Sequence, residues 1–180
     1  MIAKAKALHA VPTFKSMGLQ HFALLPAQSF DGIYCIGNVL PHLPAQGLSD
    51  FLSALIDLLR PDGLWIVQTV NFDRLLGKDA FEFPPLIFAE EHLEFQRAYL
   101  RTSAGPLLFQ TRLLQADREL FCRETPLNPL IGADLIALHE TSGFHLAAHN
   151  GDFAGNAFDA QGSPGSVYVF ERGPLPTKTA

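Results

Sequence analysis

The sequence has few cysteines and no long apolar run. Only two of its 180 residues are cysteines, too few for the disulfide framework that stabilises many small secreted domains. No apolar run reaches the roughly 18 residues of a membrane-spanning helix, and residues 1–12 lack the continuous apolar stretch of a signal peptide. We therefore expect a cytoplasmic protein with free thiols and no membrane partner.

Basic residues and known catalytic motifs are also scarce. There are 13 lysines and arginines against 18 acidic residues, for a formal net charge of −5. This balance argues against a nucleic-acid partner, because phosphate backbones bind basic surfaces. The sequence contains no GxSxG, P-loop or HExxH motif, and its seven histidines show no ligand spacing. We expect neither a catalytic nucleophile nor a metal site.

The stretch 30–73 predicts a strand, a helix and a second strand. A short apolar run over 33–36 indicates a strand covered on both faces, and Gly37 and Asn38 end it with a turn. Residues 60–63 stop the helix before a second buried strand. The helix is indicated by apolar residues at helical spacing, Leu48, Phe51, Leu52, Leu55 and Leu59. Two buried strands joined by a helix predict a βαβ unit of a doubly wound sheet.

An antiparallel meander is predicted after this stretch. An irregular loop over 71–88 precedes alternating residues over 95–99. A turn at 103–106 leads to a strand over 107–114, and a third strand is predicted over 121–125.

The remaining sequence predicts one helix and two strands. Apolar residues over 127–141 favour a helix that ends at Gly143. Strands are predicted over 144–149 and 166–171, and two prolines in 173–180 indicate a disordered tail.

Three short motifs resemble a known family. They are Cys35-Ile36-Gly37-Asn38, His42-Leu43-Pro44 and Asn71-Phe72-Asp73. In this order they resemble class I S-adenosylmethionine-dependent methyltransferases, and more narrowly small-molecule N-methyltransferases of the glycine/sarcosine type. The resemblance implies an α/β fold, a doubly wound Rossmann-like methyltransferase sheet with an inserted antiparallel β-meander. It also implies S-adenosyl-L-methionine as cofactor and a small-molecule acceptor, with an amine nitrogen favoured and oxygen left open.

The resemblance begins in the middle of the family's fold. Residues 1–8 favour a short helix that matches the segment after the family's second strand, and residues 13–17 match its third strand. The first glycine is Gly18, so the family's glycine-rich turn and the acid that binds the ribose would precede Met1. We expect a sheet lacking its first two strands, in an N-terminally truncated chain that is inactive alone and poorly stable.

These elements divide the sequence into four parts. Residues 1–88 are expected to form the C-terminal part of the Rossmann-like core, with strands three to five, and residues 89–128 an antiparallel substrate flap. Residues 129–172 would add the closing helix and antiparallel hairpin of the same domain, and 173–180 would form the tail.

By the resemblance, the cofactor lies where the first strand of the βαβ unit ends. Backbone groups of Cys35, Ile36 and Gly37 would face its methionine part. Gly18 and Leu19 stand beside the adenine position, where the family usually has an acidic or amide side chain. Here only a backbone contact is available.

Asn38 and His42 are the expected catalytic residues. Asn38 would orient the amine or carboxylate of the acceptor, or it would simply form a turn with the preceding glycine. His42 would accept or relay a proton, or it would cap the following helix. Asn71 ends the second predicted strand, at the sheet edge where doubly wound folds bind ligands, and is expected to contact substrate.

Two residues of the meander complete the expected substrate site. Arg97 and Tyr99 are two positions apart, so their side chains point to one face of the strand. The arginine would hold a substrate carboxylate bidentately, as the resemblance implies, and Arg112 competes for this role. The alternative is an arginine that is merely exposed to solvent.

Two other functions stay open. The first is a non-catalytic remnant or partner subunit that keeps the fold and binds protein. The second is a nicotinamide-dependent reductase, which would need its own glycine fingerprint followed about twenty residues later by an acid. A glycine-rich turn encoded upstream would favour the methyltransferase over the remnant.

Overall fold

A computed structural model describes residues 1–9, 11–101, 106–116 and 118–173, without the side chains of Gln20 and Ala23. The helices are α1 (Ile2–Leu8), α2 (Ala45–Leu58) and α3 (Gly132–Thr141). The strands are β1 (Phe30–Cys35), β2 (Leu59–Val70), β3 (Ala80–Glu82), β4 (Leu86–Phe88), β5 (Leu93–Arg101), β6 (Leu107–Gln115), β7 (Arg118–Leu127), β8 (Phe144–Asn150) and β9 (Gly165–Arg172). Short 3₁₀ turns span Leu19–Leu24, Leu40–His42 and Asp73–Leu75. Within the described residues, no helix is long and apolar enough to cross a membrane.

The first sheet has four strands in the order β1-β2-β9-β8. β1 and β2 run parallel, with Ile33 opposite Trp65 and Cys35 opposite Val67, and α2 connects them. β9 lies antiparallel between β2 and β8. The parallel pair joined by a helix confirms the predicted βαβ unit, and β8 with β9 confirms the predicted closing hairpin.

The second sheet, called the flap below, comprises β3 to β7. β5, β6 and β7 are antiparallel neighbours, which confirms the predicted meander. β3 and β4 both pair with β5, although the sequence predicted an irregular loop over 71–88. Each has only three residues, too few to show a period of two, so pairing with β5 is what makes them strands.

Helices α2 and α3 cover one face of the first sheet. Trp65 and Phe170 on this face are fully buried. The helix α2 packs through most of its predicted stripe, with Leu48, Phe51, Leu52 and Leu55 buried. On the opposite face, Tyr34 of β1 is 72 % exposed and Leu64 of β2 is 38 % exposed. The prediction that β1 is covered on both faces is therefore wrong, because both helices that pack on this sheet lie on the other side.

Three further predictions need correction. Residues 13–17 form no strand, because no neighbouring strand lies beside them to satisfy their backbone groups. Leu59, predicted on the helix stripe, opens β2 instead. The helix predicted over 127–141 begins at Gly132, because Leu127 still belongs to β7.

The short N-terminal helix was predicted correctly, since α1 covers Ile2–Leu8. Two other predictions fall largely outside the described residues. Of the turn at 103–106 only Pro106 is described, and of the tail at 173–180 only Gly173.

A buried imidazole links α3 to the centre of the first sheet. The indole Nε1–H of Trp65 donates to Nε2 of His139 at 3.0 Å, and Nδ1 of His139 lies 2.7 Å from the carbonyl oxygen of Leu135. Since Nε2 accepts a hydrogen bond, Nδ1 carries the proton. The ring also stacks on Phe170 with 4.1 Å between centroids. Burial lowers the pKa of His139 from 6.5 to about 4.

Acid should weaken the fold through His139. In the unfolded chain this imidazole takes up a proton near pH 6.5, whereas in the folded protein it stays neutral until about pH 4. The neutral imidazole therefore contributes its full share to the free energy of unfolding above pH 6.5, and this contribution is lost as the pH falls toward 4. We expect a loss of about 3 kcal/mol in the free energy of unfolding over this range. Urea unfolding of the wild type and His139→Phe between pH 7 and 4 measures it.

The variant and its control isolate this histidine. His139→Phe should be less stable at pH 7, because the indole N–H loses its acceptor, and its stability should depend less on pH. His145→Gln, which changes an exposed histidine on β8, should keep the wild-type pH dependence. Equal pH dependence in the wild type and His139→Phe would contradict the assignment.

Candidate functional site

Gly37 and Asn38 form a left-handed turn where β1 ends. Their φ angles are +83° and +60°, a region that glycine enters freely and asparagine tolerates better than most residues. The N–H of Gly37 donates to Oε1 of Gln68 at 2.8 Å, which connects the turn to β2. Apart from the two chain neighbours of Gly37, no described residue has an atom within 4 Å of the position that a Cβ on Gly37 would take. The turn is therefore fixed in shape and open on one side to a ligand.

The carboxamide of Asn38 joins both parallel strands to the flap. Its Oδ1 accepts the N–H of Val70, the last residue of β2, at 3.0 Å. Its Nδ2 donates to the hydroxyl oxygen of Tyr99 on β5 at 3.1 Å. Because a backbone N–H can only donate, the first bond fixes which end of the amide is oxygen. The carboxyl ends of β1 and β2 thus meet the flap at one side chain.

Tyr99 is 4 % exposed and is surrounded by aromatic rings. Its ring centroid lies 5.8 Å from that of Phe72, 5.1 Å from Phe83 and 5.4 Å from Phe109. Burial raises the pKa of Tyr99 to about 12, and the charge of Arg97 lowers it only in part. The hydroxyl therefore keeps its proton at neutral pH. Its oxygen accepts the carboxamide N–H, and the described residues offer its proton no hydrogen-bond acceptor.

Arg97 and Arg112 lie on opposite faces of the flap. The inner face is the one that carries the tyrosine just described, and the outer face is the other. Arg97 is on the inner face, as predicted. Its guanidinium lies 5.3 Å over the ring of Phe83, and its Nη2 donates to the carbonyl oxygen of Pro84 at 3.0 Å. Arg112 is on the outer face, where its Nε lies 2.9 Å from a carboxylate oxygen of Glu119.

A polar cavity of about 380 Å³ at the outer face of the flap is lined by outer-face residues such as Glu82, Glu94 and Arg112, and also by Arg97 and Phe83. Its polar groups are partly bonded to one another, since Nε2 of Gln96 donates to Glu94 at 2.8 Å. Tyr99 and Asn38 are not among the residues that line this cavity. The cavity therefore borders the candidate site at Arg97 but does not include the Tyr99 hydroxyl.

The structure does not bring His42 and Asn71 into this cluster. His42 is exposed and lines a cleft of about 460 Å³ with Pro44 and Asn128 among others. Asn71 is 1 % exposed, and its Nδ2 lies within 3.3 Å of three carbonyl oxygens in the loop 159–163. Its amide is occupied by that loop. The roles of both residues in proton transfer and substrate binding stay predictions.

Cys35 and Ile36 lie between β1 and the Gly37 turn. Burial raises the pKa of the Cys35 thiol, and a hydrogen bond with the backbone of Leu40 lowers it in part. The side chain of Ile36 is 47 % exposed. The end of β1 therefore combines an unionised thiol, an exposed apolar side chain and an open turn, and it carries no charged side chain.

Gly18 and Leu19 lie at the start of the 3₁₀ turn Leu19–Leu24. The carbonyl oxygen of Gly18 accepts the N–H of His21 at 3.0 Å, and Leu19 packs against the core of the first sheet. A cleft of about 620 Å³ borders this segment, with Met17 and His21 in its lining. The contact of Gly18 and Leu19 with a cofactor stays a prediction.

The sequence interpretation missed Gln68 and the bond between Asn38 and Tyr99. Gln68 is a polar residue inside a mostly apolar strand, and this interruption was a usable signal. The bond between Asn38 and Tyr99 joins residues 61 positions apart, and neither strand nor turn patterning carries information on such a pair.

Several solved structures with a similar fold are methyltransferases. The CcbJ methyltransferase from Streptomyces caelestis matches with a TM-score of 0.73 and 22 % identity, over 95 % of this chain and 73 % of its own. CalS10, an aminopentose methyltransferase from Micromonospora echinaspora with S-adenosylmethionine bound, matches with a TM-score of 0.64 and 16 % identity, over 94 % of this chain and 69 % of its own. The sugar N-methyltransferase KedS8 from a Streptoalloteichus species matches with a TM-score of 0.63 and 13 % identity, over 96 % of this chain and 67 % of its own.

These similarities show the fold. It is the α/β, Rossmann-like fold of class I methyltransferases, which confirms the fold class predicted from the sequence. No model of a known family matches the chain, and no curated protein matches it. The glycine/sarcosine subtype and the N-terminal truncation stay predictions.

The hydrogen bond between Asn38 and Tyr99 should appear as a coupling energy. Asn38→Ala and Tyr99→Phe each remove the same bond, so the double variant should lose less stability than the sum of the single losses. We expect a difference of about 1 kcal/mol in the free energy of unfolding. Urea unfolding of the wild type, both single variants and the double variant measures it.

Tyr34→Phe is the matched control, because Tyr34 is exposed on β1. Its loss of stability should add to that of Asn38→Ala. A coupling between Asn38 and Tyr99 no larger than this control would show that the bond does not form in solution.

Proposed function

We propose that this protein is an S-adenosylmethionine-dependent methyltransferase that methylates an amine nitrogen of a small molecule. One arrangement supports the proposal most. The carboxamide of Asn38 is held by two hydrogen bonds at the carboxyl ends of two parallel strands, the edge at which doubly wound sheets bind ligands. It lies in a fold whose similar solved structures include methyltransferases.

The turn at Gly37 fits the methionine part of S-adenosyl-L-methionine. Its open side gives a ligand access to the backbone of residues 35–37, and the exposed side chain of Ile36 lies beside it. Gly18 and Leu19 would contact the adenosine part, next to the cleft at Met17. When bound, the cofactor supplies an electrophilic methyl group on its sulfonium sulfur.

The chain's own residues would orient the acceptor and exclude water, so no nucleophilic side chain is needed. The Oδ1 of Asn38 uses one lone pair on Val70 and keeps a second for an N–H of the acceptor. The hydroxyl of Tyr99 has a proton to donate to a neighbouring acceptor oxygen. Phe72 and the other rings around Tyr99 keep water from this contact. His42, which is exposed and lines a separate cleft, would take the proton that the amine loses only after water has carried it there.

The proposed acceptor is a small amine, amino acid or amino sugar. An amino sugar is supported by two of the similar structures, which are named as an aminopentose methyltransferase and a sugar N-methyltransferase. An acceptor with an anionic group, as in the glycine/sarcosine subtype, is supported by Arg97 on the inner face of the flap.

Methyl transfer from radiolabelled S-adenosylmethionine to a set of small amines tests the proposal, with the protein in the form that the cell produces. We expect label in an amine product. Asn38→Ala should lower kcat/KM about 100-fold, because the acceptor loses its alignment, and Tyr99→Phe about tenfold. Tyr34→Phe should have no effect. Absence of transfer to any amine, or transfer that is unaffected by Asn38→Ala, would overturn the proposal.

We further propose that the 180-residue chain alone is inactive, as expected from the sequence. β1 pairs only with β2 in the described sheet, and no GxGxG turn occurs in the sequence. Calorimetric titration of S-adenosylmethionine into this chain alone should therefore release no heat. Saturable heat would contradict this. If no cellular form bound the cofactor, the protein would instead be the non-catalytic remnant or partner subunit.

A further inference from the structure

The two faces of the flap carry opposite charge. Strand register places the side chains of four glutamates and one arginine on the outer face: Glu82, Glu94, Glu119, Glu124 and Arg112. It places four arginines on the inner face: Arg97, Arg101, Arg118 and Arg123. Within β3 to β7 as described, no carboxylate lies on the inner face. A solvated strand surface usually mixes both signs, so this segregation requires a cause.

Two of these arginines belong to one row across the inner face. Arg97 on β5 pairs with Thr111 on β6, which pairs with Arg123 on β7. The strand spacing puts the two arginine Cα atoms about 10 Å apart, with the threonine between them. The guanidinium of Arg97 leans toward Phe83 and Pro84, on the side of β5 away from Thr111. A group that contacts both arginines would therefore lie above Arg97 and Thr111. The row therefore has the form of an anion clamp.

Some hydrogen-bond donors of this row have no partner within the described residues. The Nε of Arg97 is buried and has no hydrogen-bond partner among the described residues, although Nη2 donates to Pro84. The ring of Phe83 holds its guanidinium in place. Within the described structure, the guanidinium of Arg123 has no hydrogen bond or ion pair. The hydroxyl of Thr111 makes only a 3.5 Å contact with the carbonyl oxygen of Arg123.

The row lies next to the candidate site. The neighbouring row on the same face contains Phe81, Tyr99 and Phe109, and Tyr99 accepts the carboxamide N–H of Asn38. Two residues along a strand correspond to about 7 Å. A ligand whose amine contacts Asn38 would therefore place a group about this far away at Arg97.

The charge of the row exceeds that of one carboxylate. A carboxylate carries one negative charge, whereas the row offers two guanidiniums that each carry one positive charge. A phosphate ester carries three acceptor oxygens and nearly two negative charges at neutral pH. We propose that the methyl acceptor is a phosphate ester whose phosphoryl group is held between Arg97 and Arg123. This inference rests on the proposed function only in naming the ligand as the methyl acceptor. The anion site itself is defined by residues of the flap alone.

Binding of small aromatic anions tests the site without the cofactor. Phenyl phosphate, benzoate and benzamide share a ring that suits the apolar residues on either side of the row, Phe81, Phe109, Phe95 and Leu113. Ligand-observed NMR titration measures the three dissociation constants. We expect phenyl phosphate to bind about tenfold more tightly than benzoate, and benzamide to bind more weakly still. Equal binding of phosphate and carboxylate, or of benzoate and benzamide, would overturn the proposal.

Three variants assign the binding to the row. Arg97→Gln and Arg123→Gln should each weaken phenyl phosphate binding about tenfold or more. Arg112→Gln is the matched control, since Arg112 neighbours Thr111 on β6 but lies on the outer face. It should leave binding within about twofold of the wild type. Loss of binding in Arg112→Gln to the same degree would overturn the assignment, and circular dichroism shows whether each variant is folded.

The two proposals fail separately. If phenyl phosphate binds as expected but no cellular form binds S-adenosylmethionine, the methyltransferase proposal fails and the anion site stands. If the cofactor binds and amines are methylated but phenyl phosphate binds no better than benzamide, the phosphate ester is wrong and the methyltransferase stands.

Discussion

The carboxamide of Asn38 is the contact on which the candidate site depends. It accepts a hydrogen bond from the end of β2 and donates one to Tyr99 of the flap, while the residue itself holds a left-handed turn at the end of β1. Without this side chain, no described side-chain hydrogen bond would join the first sheet to the inner face of the flap at this edge. The site therefore exists only where two sheets with separate cores meet.

The two sheets contribute different physical properties to that edge. The first sheet supplies rigidity, because its strands are fixed from one side by α2 and α3 and by the buried pair of Trp65 and His139. The flap supplies polarity and shape, since its inner face alternates rows of aromatic and cationic side chains. The proposed methyl transfer would need alignment and exclusion of water more than reactive side chains, and this division of roles is consistent with it.

Local patterns in the sequence were enough to predict β1, α2, β2 and the three long flap strands, because periods of 2 and 3.6 are written into neighbouring residues. They failed at 13–17, where extended residues lack a neighbour to pair with, and at β3 and β4, which exist only through β5. Gly37 and Asn38 could be selected from the sequence as the end of a strand. Their link to Tyr99 could not, because it depends on how the flap folds back over 61 positions.

The most direct test of this account is a crystal structure of the protein, in its cellular form, with S-adenosylhomocysteine and an amine acceptor. We expect the sulfur of the cofactor product to lie beside the Gly37 turn, and the acceptor nitrogen to contact Asn38 while Asn38 remains bonded to Tyr99. A ligand bound elsewhere on the fold, or an Asn38 side chain turned away from both Tyr99 and the acceptor, would contradict it.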